Sequence, residues 1–207
     1  MNYESLILDI DGTLWDSRAR VAEGYNIQLV KDGYPHLCVD AEKLKQVFGL
    51  VMTDIADILL GSVDESERYE LMERCMTTEV QYLHDIPCDY GYPKVTETIA
   101  ELAKKHRIFI VSNSQCGYPE LCIEKLGLTP YISGHMCVGD TGTSKGKTIR
   151  TLMQKHNITS AVYIGDTQGD YEATVEAGIP FIWCTYGFGT PDGYLAKIEQ
   201  FEQLLHL

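Results

Sequence analysis

Asp9 and Asp11 stand one residue apart at the end of the apolar run Leu6-Ile7-Leu8, and Gly12 and Thr13 follow directly. On an extended strand, residues two apart leave on the same side, so both carboxylates can face one point in space. Acids held that close do not both stay ionised unless a cation joins them or one keeps a proton. Taken alone, the pair could also be a strand followed by an Asp-Gly turn. A second acidic cluster weighs against the plain turn. Ala161-Val162-Tyr163-Ile164-Gly165-Asp166 is again an apolar strand ending in Gly-Asp, and Thr167-Gln168-Gly169-Asp170 continues into a helix start that carries another acid.

The elements that must position these groups follow from hydrophobic period. Residues 107–111 form an apolar strand that ends at Ser112-Asn113-Ser114, residues 131–138 contain a weaker strand, and Phe181-Ile182-Trp183-Cys184 reads as the last one. Helices are expected between them: one from Pro93 to about residue 106, then 119–126 stopped by Gly127, 145–156, 169–177 stopped by Gly178, and a closing helix near 194–205. Strands alternating with helices predict an α/β fold with a doubly wound parallel sheet. Between about residues 16 and 85 no strand is evident. Amphipathic helical spacing covers 18–30, 41–48, 54–60 and 65–83, the last with Tyr69, Met72, Met76, Val80 and Leu83 at helical intervals and Asp64 placed to cap it. An all-helical insertion right after the acidic turn would sit over a ligand site as a lid. The expected division is 1–15 and 88–207 for the wound core and 16–87 for the helical cap.

Composition narrows the function classes. A chain of 207 residues with 44% hydrophobic and 23% charged content is ordinary for one globular core plus an insertion. No apolar run reaches the roughly 20 residues of a membrane helix, and Met1-Asn2-Tyr3-Glu4 lacks the basic start of an export signal, so a soluble, cytoplasmic protein with no membrane partner is expected. The net charge of -13, with no basic patch, argues against a nucleic-acid partner. The seven cysteines are odd in number and never spaced Cys-x-x-Cys, which reads as reduced thiols and not as a disulfide framework or zinc site. The six histidines show no metal-binding helix pattern.

In a wound sheet, strand ends and the helix starts after them converge on one crevice. That brings together Asp9 and Asp11, Ser112 and Asn113, Lys145, and Asp166 with Asp170. Carboxylates with one ammonium suggest a hard divalent cation, and Mg²⁺ is typically held by one or two carboxylates, waters and a substrate phosphate. Lys145, the Ser112 hydroxyl and backbone N–H groups would donate to phosphate oxygens. Plain alternatives stand beside these roles: Ser112 capping a turn, Asn113 as a loop residue, Lys147 competing with Lys145, and Asp170 as an ordinary helix-start acid. Gly146-Lys147-Thr148 lacks the earlier glycine of a nucleotide-binding P-loop, because that position is Thr141. Gly187-Phe188-Gly189 lacks the third glycine of a dinucleotide fingerprint.

Asp9-Ile10-Asp11-Gly12-Thr13, Ser112 after its strand, Lys145 in Thr143-Ser144-Lys145-Gly146, and Gly165-Asp166-Thr167-Gln168-Gly169-Asp170 resemble, in order, the four motifs of the haloacid dehalogenase superfamily. Leu14-Trp15-Asp16-Ser17, Tyr92-Pro93 and Ala177-Gly178 extend the likeness to its phosphoglycolate-phosphatase-like branch. The resemblance implies Mg²⁺-dependent hydrolysis of a small phosphate monoester, with Asp9 as nucleophile and Asp11 as general acid and base whose backbone carbonyl ligates the metal. It implies Ser112, Asn113 and Lys145 as phosphate ligands, Asp9 and Asp166 as metal ligands, and Asp170 as a direct or water-mediated one. Asp11 favours an ester over a halide or phosphonate, because dehalogenases and phosphonate hydrolases of this superfamily lack that acid. A sugar phosphomutase and, more distantly, a phospho-acceptor signalling domain are the rival readings. Arg18, Arg20, Tyr25 and Lys43 are candidate substrate contacts in the insertion and otherwise solvated helix residues. Oligomeric state is not legible.

Overall fold

The computed structural model describes residues 2–207, which divide into two compact units: the chain through Asp16 together with Tyr90–Leu207, and Ser17–Asp89. The first unit is built on one sheet. β1 (Ser5–Leu8) pairs in parallel with β2 (Arg107–Ser112) on one side and β4 (Ala161–Gly165) on the other; β3 (Ile132–Cys137), β5 (Phe181–Cys184) and β6 (Ala196–Ile198) complete the order β3-β2-β1-β4-β5-β6. β1 and β4 are buried at every residue, as parallel strands covered on both faces must be. Ile7, Phe109, Val111 and Tyr163 form one core layer with Ile149 and Leu152, while the alternate residues Leu6, Leu8, Ile108, Ile110, Val162 and Ile164 are likewise fully buried.

The strand order reverses between β1 and β4, so the chain leaves the two adjacent strands in opposite directions along the sheet. Such a switch point opens a crevice at the carboxyl ends of the strands. Asp9 follows β1 and Asp166 follows β4, so the fold puts both acids at that crevice. The register Leu8 opposite Ile164 puts Asp9 level with Gly165, one residue short of Asp166, and Asp9 N–H donates to the Ile164 carbonyl at 2.8 Å.

The closing segment differs from the sequence reading. Residues 194–205 are not one helix but strand β6 and a short 3₁₀ helix, Phe201–His206. Ala196, Lys197 and Ile198 run half-buried, exposed and buried, a period of two, and edge pairing with β5 supplies their backbone partners. Leu195 N–H bonds to Phe181 O at 2.8 Å, and Thr185 N–H to Ile198 O at 2.9 Å. Ladder bonds at an open sheet edge outweigh helix propensity here.

The second unit holds helices α1 (Arg18–Lys31), α2 (Ala41–Lys45), α3 (Met52–Leu59) and α4 (Glu65–Asp85). Asp64 occupies the N-cap position of α4 but makes no side-chain cap bond. The buried face of α4 is Leu71, Met72, Cys75, Glu79 and Leu83, with Tyr69 exposed and Met76 and Val80 half-buried, so the expected stripe is rotated about the helix axis. The cause is the close approach of α1: a Cβ on Gly24 would lie 2.8 Å from the Glu79 Cα. Tyr82 donating to Glu23 at 2.6 Å and Arg74 to Asp32 at 2.7 Å tie the two helices at their flanks. Gly24→Leu is therefore expected to force the pair apart and lower stability by ~1–3 kcal/mol, read as a lower urea midpoint. An unchanged midpoint would show that the helices are not packed backbone to backbone.

Candidate active site

Asp9 lies at the centre of a buried charge cluster. Lys145, the first residue of the helix Lys145–Lys155, is only 6% exposed, and its Nζ donates to Asp9 Oδ1 at 2.6 Å and to Asp170 Oδ1 at 2.5 Å. Lys147, its sequence competitor, is exposed on the same helix. The helix sits close to the following one, Gln168–Ala177, because Gly146 has no side chain: a Cβ there would be 2.7 Å from that of Glu176. That closeness lets Lys145 reach across to Asp170.

Asp170 is fully engaged. Its Oδ2 accepts from the backbone N–H groups of Asp166 and Thr167, at 3.1 and 3.0 Å, and from the Thr167 hydroxyl at 2.8 Å. The helix-start role and the site role are thus one arrangement, in which the acid caps its helix with one oxygen and orients Lys145 with the other. Despite its burial, Lys145 and these donors hold its carboxyl below the ordinary range.

Asp166 is the opposite case. It is fully buried, its Oδ2 accepts from Phe188 N–H at 2.6 Å, and its Oδ1 has no hydrogen-bond partner among the described residues. Two glycines make room for it. A Cβ on Gly12, whose φ is +79°, would lie 2.1 Å from Asp166 Oδ2, and one on Gly187 would lie 2.3 Å from the same oxygen. Burial and the charges of Asp170 and Asp9 push its pKa well above the carboxylate range. Burial and Asp170 likewise raise Asp9 to about 7, even with Lys145 pulling it down. On Lys145 itself, burial opposes the charge, but the two carboxylates outweigh it and keep the ammonium protonated.

Oxygens of Asp9, Asp166 and Asp170 lie within 4.8 Å of one another. All the side-chain donors are hard oxygens and one is buried without a partner, so the residues fit Mg²⁺, which favours carboxylate and water ligands. A divalent cation would also balance the charge that one ammonium leaves over.

The remaining expected residues take distinct places. Asp11 is held by two donors on one oxygen, Trp15 Nε1 and the Tyr118 hydroxyl, each 2.8 Å from Oδ1. Ser112 ends β2 at the same carboxyl edge, 4% exposed, and its Oγ accepts from Ser114 N–H at 3.2 Å while its own proton stays available to donate. Asn113 follows it in the loop. Sequence reasoning missed Trp15, Tyr118, Gly187 with Phe188, and Tyr163. The Tyr163 hydroxyl donates to the Val111 carbonyl at 2.7 Å and lies 3.3 Å from Asp9 Oδ1. A lone hydroxyl inside an otherwise apolar strand was the signal available for it.

Residues 6–184 match the family model of haloacid dehalogenase-like hydrolases. The chain belongs to that family. Among curated relatives of this hydrolase are phosphoglycolate phosphatases of Rhodobacter capsulatus, 27% identical over 89% of this chain and 85% of the relative, and of Aliivibrio fischeri, 25% identical over 88% and 84%. Similar solved structures include a haloacid dehalogenase-like family protein of Streptococcus pneumoniae, with TM-score 0.81, 18% identity, and coverage of 99% of this chain and 97% of that one. A 2-haloacid dehalogenase of Pseudomonas syringae superposes with TM-score 0.65 at 21% identity, covering 99% and 97%. The hydrolase fold is thus shared with an enzyme named for different chemistry, and the site must distinguish them.

The charge cluster has a consequence for stability. Folded and metal-free, Asp9 keeps its proton up to about pH 7, against 3.8 as its ordinary value. The folded state therefore binds the extra proton in that window, so stability is present below it and falls as the pH rises through it. The contribution of Asp9 to that loss is on the order of 4 kcal/mol, and Asp9→Asn should make the slope shallower. Thermal melts with chelator across pH check this; a hydrolase that becomes more stable over the window, or a variant with the parent's slope, would contradict it.

Proposed function

We propose that the chain is a Mg²⁺-dependent phosphatase that hydrolyses a small phosphate monoester through an aspartyl-phosphate on Asp9. The observation that carries this reading is Asp11, two residues after Asp9 and fixed by Trp15 and Tyr118. An ester needs an acid to protonate its leaving alcohol, whereas displacement of halide does not. The phosphatase names of the curated relatives support the same choice and make phosphoglycolate the first candidate substrate, with small sugar phosphates next.

In this mechanism an oxygen of Asp9 attacks phosphorus in line, the bond from phosphorus to the ester oxygen breaks, and Asp11 gives its proton to the departing alkoxide. Asp11 then takes a proton from the water that attacks phosphorus, and inorganic phosphate leaves as Asp9 is restored. Lys145 keeps Asp9 oriented and offsets the repulsion between two anions, while Ser112 and Asn113 donate to the transferring phosphoryl oxygens. Asp9, Asp166 and the Asp11 carbonyl, with Asp170 behind them, would hold Mg²⁺, which when bound would supply the charge that lets a carboxylate approach a phosphate dianion. Tyr163 steadies Asp9 from within the sheet.

The test is phosphate release from a panel of small phosphate esters, with Mg²⁺ or with chelator, beside Asp9→Asn. One or a few esters should be hydrolysed, only with metal, and the variant should lose at least about a thousand-fold in turnover while keeping its circular dichroism. Near-normal turnover by Asp9→Asn would end the proposal. Isomerisation of a sugar phosphate without net phosphate release would instead make the chain a mutase.

A further inference from the structure

Three donors outside the charge cluster meet elsewhere in the wound unit. Cys116, in the loop after Ser112, Cys137, the last residue of β3, and Asp140, in the short helix Val138–Thr141 that follows, place two sulfurs and a carboxylate oxygen within 4.8 Å of one another. Cys116 Sγ lies 3.4 Å from Asp140 Oδ1 and Cys137 Sγ 3.3 Å from Oδ2. No sequence spacing signals this group, because its members come from two strand ends.

The arrangement is held in place from several directions. The Cys137 N–H donates to Asp140 Oδ2 at 2.9 Å, and Gly139 N–H to the Ser114 carbonyl at 3.2 Å. A Cβ on Gly139 would be 2.8 Å from the Cys116 nitrogen, so the bare glycine lets the loop press against the short helix. Cys137 is buried, while Cys116 and Asp140 are exposed, which leaves the group open to ions from solution on one side only. His135, two residues before Cys137 on the same face of β3, has a buried Nδ1 without a hydrogen-bond partner, and its charge acts on Asp140.

We infer that Cys116, Cys137 and Asp140 form a second metal site, selective for a borderline-soft divalent cation such as Zn²⁺ and distinct from the all-oxygen cluster at Asp9. Two thiolates and one carboxylate are a zinc-type donor set, and three protein ligands leave a fourth position for water or for His135. In the metal-free state both thiols are protonated and donate to Asp140. Burial and that carboxylate push Cys137 up to about 12 and raise Cys116 as well. Binding therefore releases both thiol protons to solvent, each sulfur supplies an electron pair to the ion, and nothing is oxidised or reduced. Zn–S bonds of about 2.3 Å put two sulfurs of a tetrahedral site roughly 3.8 Å apart, which small side-chain movements achieve. The occupied site would staple the Ser112–Cys116 loop to the end of β3.

The test is addition of Co²⁺ to the reduced full chain without oxygen, reading the near-ultraviolet thiolate-to-cobalt band, followed by displacement with Zn²⁺. One Co²⁺ per chain should give the band, Zn²⁺ should abolish it, and apparent affinity should rise with pH. Cys116→Ser, at an exposed position, should fold and lose the band; Asp9→Asn, and Cys38→Ser at another exposed thiol, should keep it. No thiolate band in the parent protein, or an undiminished one in Cys116→Ser, overturns the site.

Discussion

Lys145 Nζ stands between Asp9 and Asp170 at 2.6 and 2.5 Å, and all three side chains are removed from water. With Asp166 beside them, three acids share one ammonium in a low-dielectric pocket. Removing one partner of a buried pair costs about 3–5 kcal/mol, so Lys145, which pairs with two carboxylates, is the member whose loss would cost the most. The unequal treatment of the acids follows from their hydrogen bonds. Asp170 is saturated with donors, which hold its carboxyl below the ordinary range, whereas Asp166 has one donor among the described residues and burial beside Asp170 and Asp9 pushes its carboxyl well above that range. On the proposed reading, such a pocket would hold a hard dication and keep Asp9 aimed at the phosphate it brings.

Much of this was legible in the sequence because chemistry and topology coincide. An apolar run that ends in acid marks both β1 and β4, and the order of strands and helices puts their ends at one switch point. Lys145 was separable from Lys147 only by its flanking residues, and burial makes the same distinction physically. What was not legible depends on contacts between distant segments. Gly187 and Phe188 read as a loop after the last strand, yet they wrap Asp166. Tyr163 read as one more strand residue. The closing strand β6 is decided by an open sheet edge, and the buried face of α4 by the bare backbone of Gly24, neither of which leaves a local pattern. The seven cysteines are free thiols as the sequence reads, but the meeting of Cys116 and Cys137 at neighbouring strand ends leaves no spacing to read.

The fold by itself does not choose the reaction, since a protein named as a haloacid dehalogenase shares it. The proposed ester hydrolysis rests on a few atoms at the mouth of the sheet. Gly12 turns the chain with φ +79° so that Asp11 can swing back toward Trp15 and Tyr118, while its missing side chain gives Asp166 its place. One glycine therefore shapes both the turn that carries Asp11 and the pocket that takes Asp166. Aromatic donors on Asp11 fix its direction without adding a charge that would compete with Lys145.

Covalent phosphorylation of Asp9 is the central claim, and rapid quenching tests it most directly. The protein would be mixed with Mg²⁺ and its best phosphate ester, stopped in acid within the first turnovers, and the peptide spanning Asp9 weighed by mass spectrometry. The account predicts a phosphoryl group on Asp9 that appears before free phosphate reaches steady state and is absent from Asp9→Asn. Phosphate release at full rate with Asp9 never modified, or a phosphoryl group carried by another residue, would contradict it.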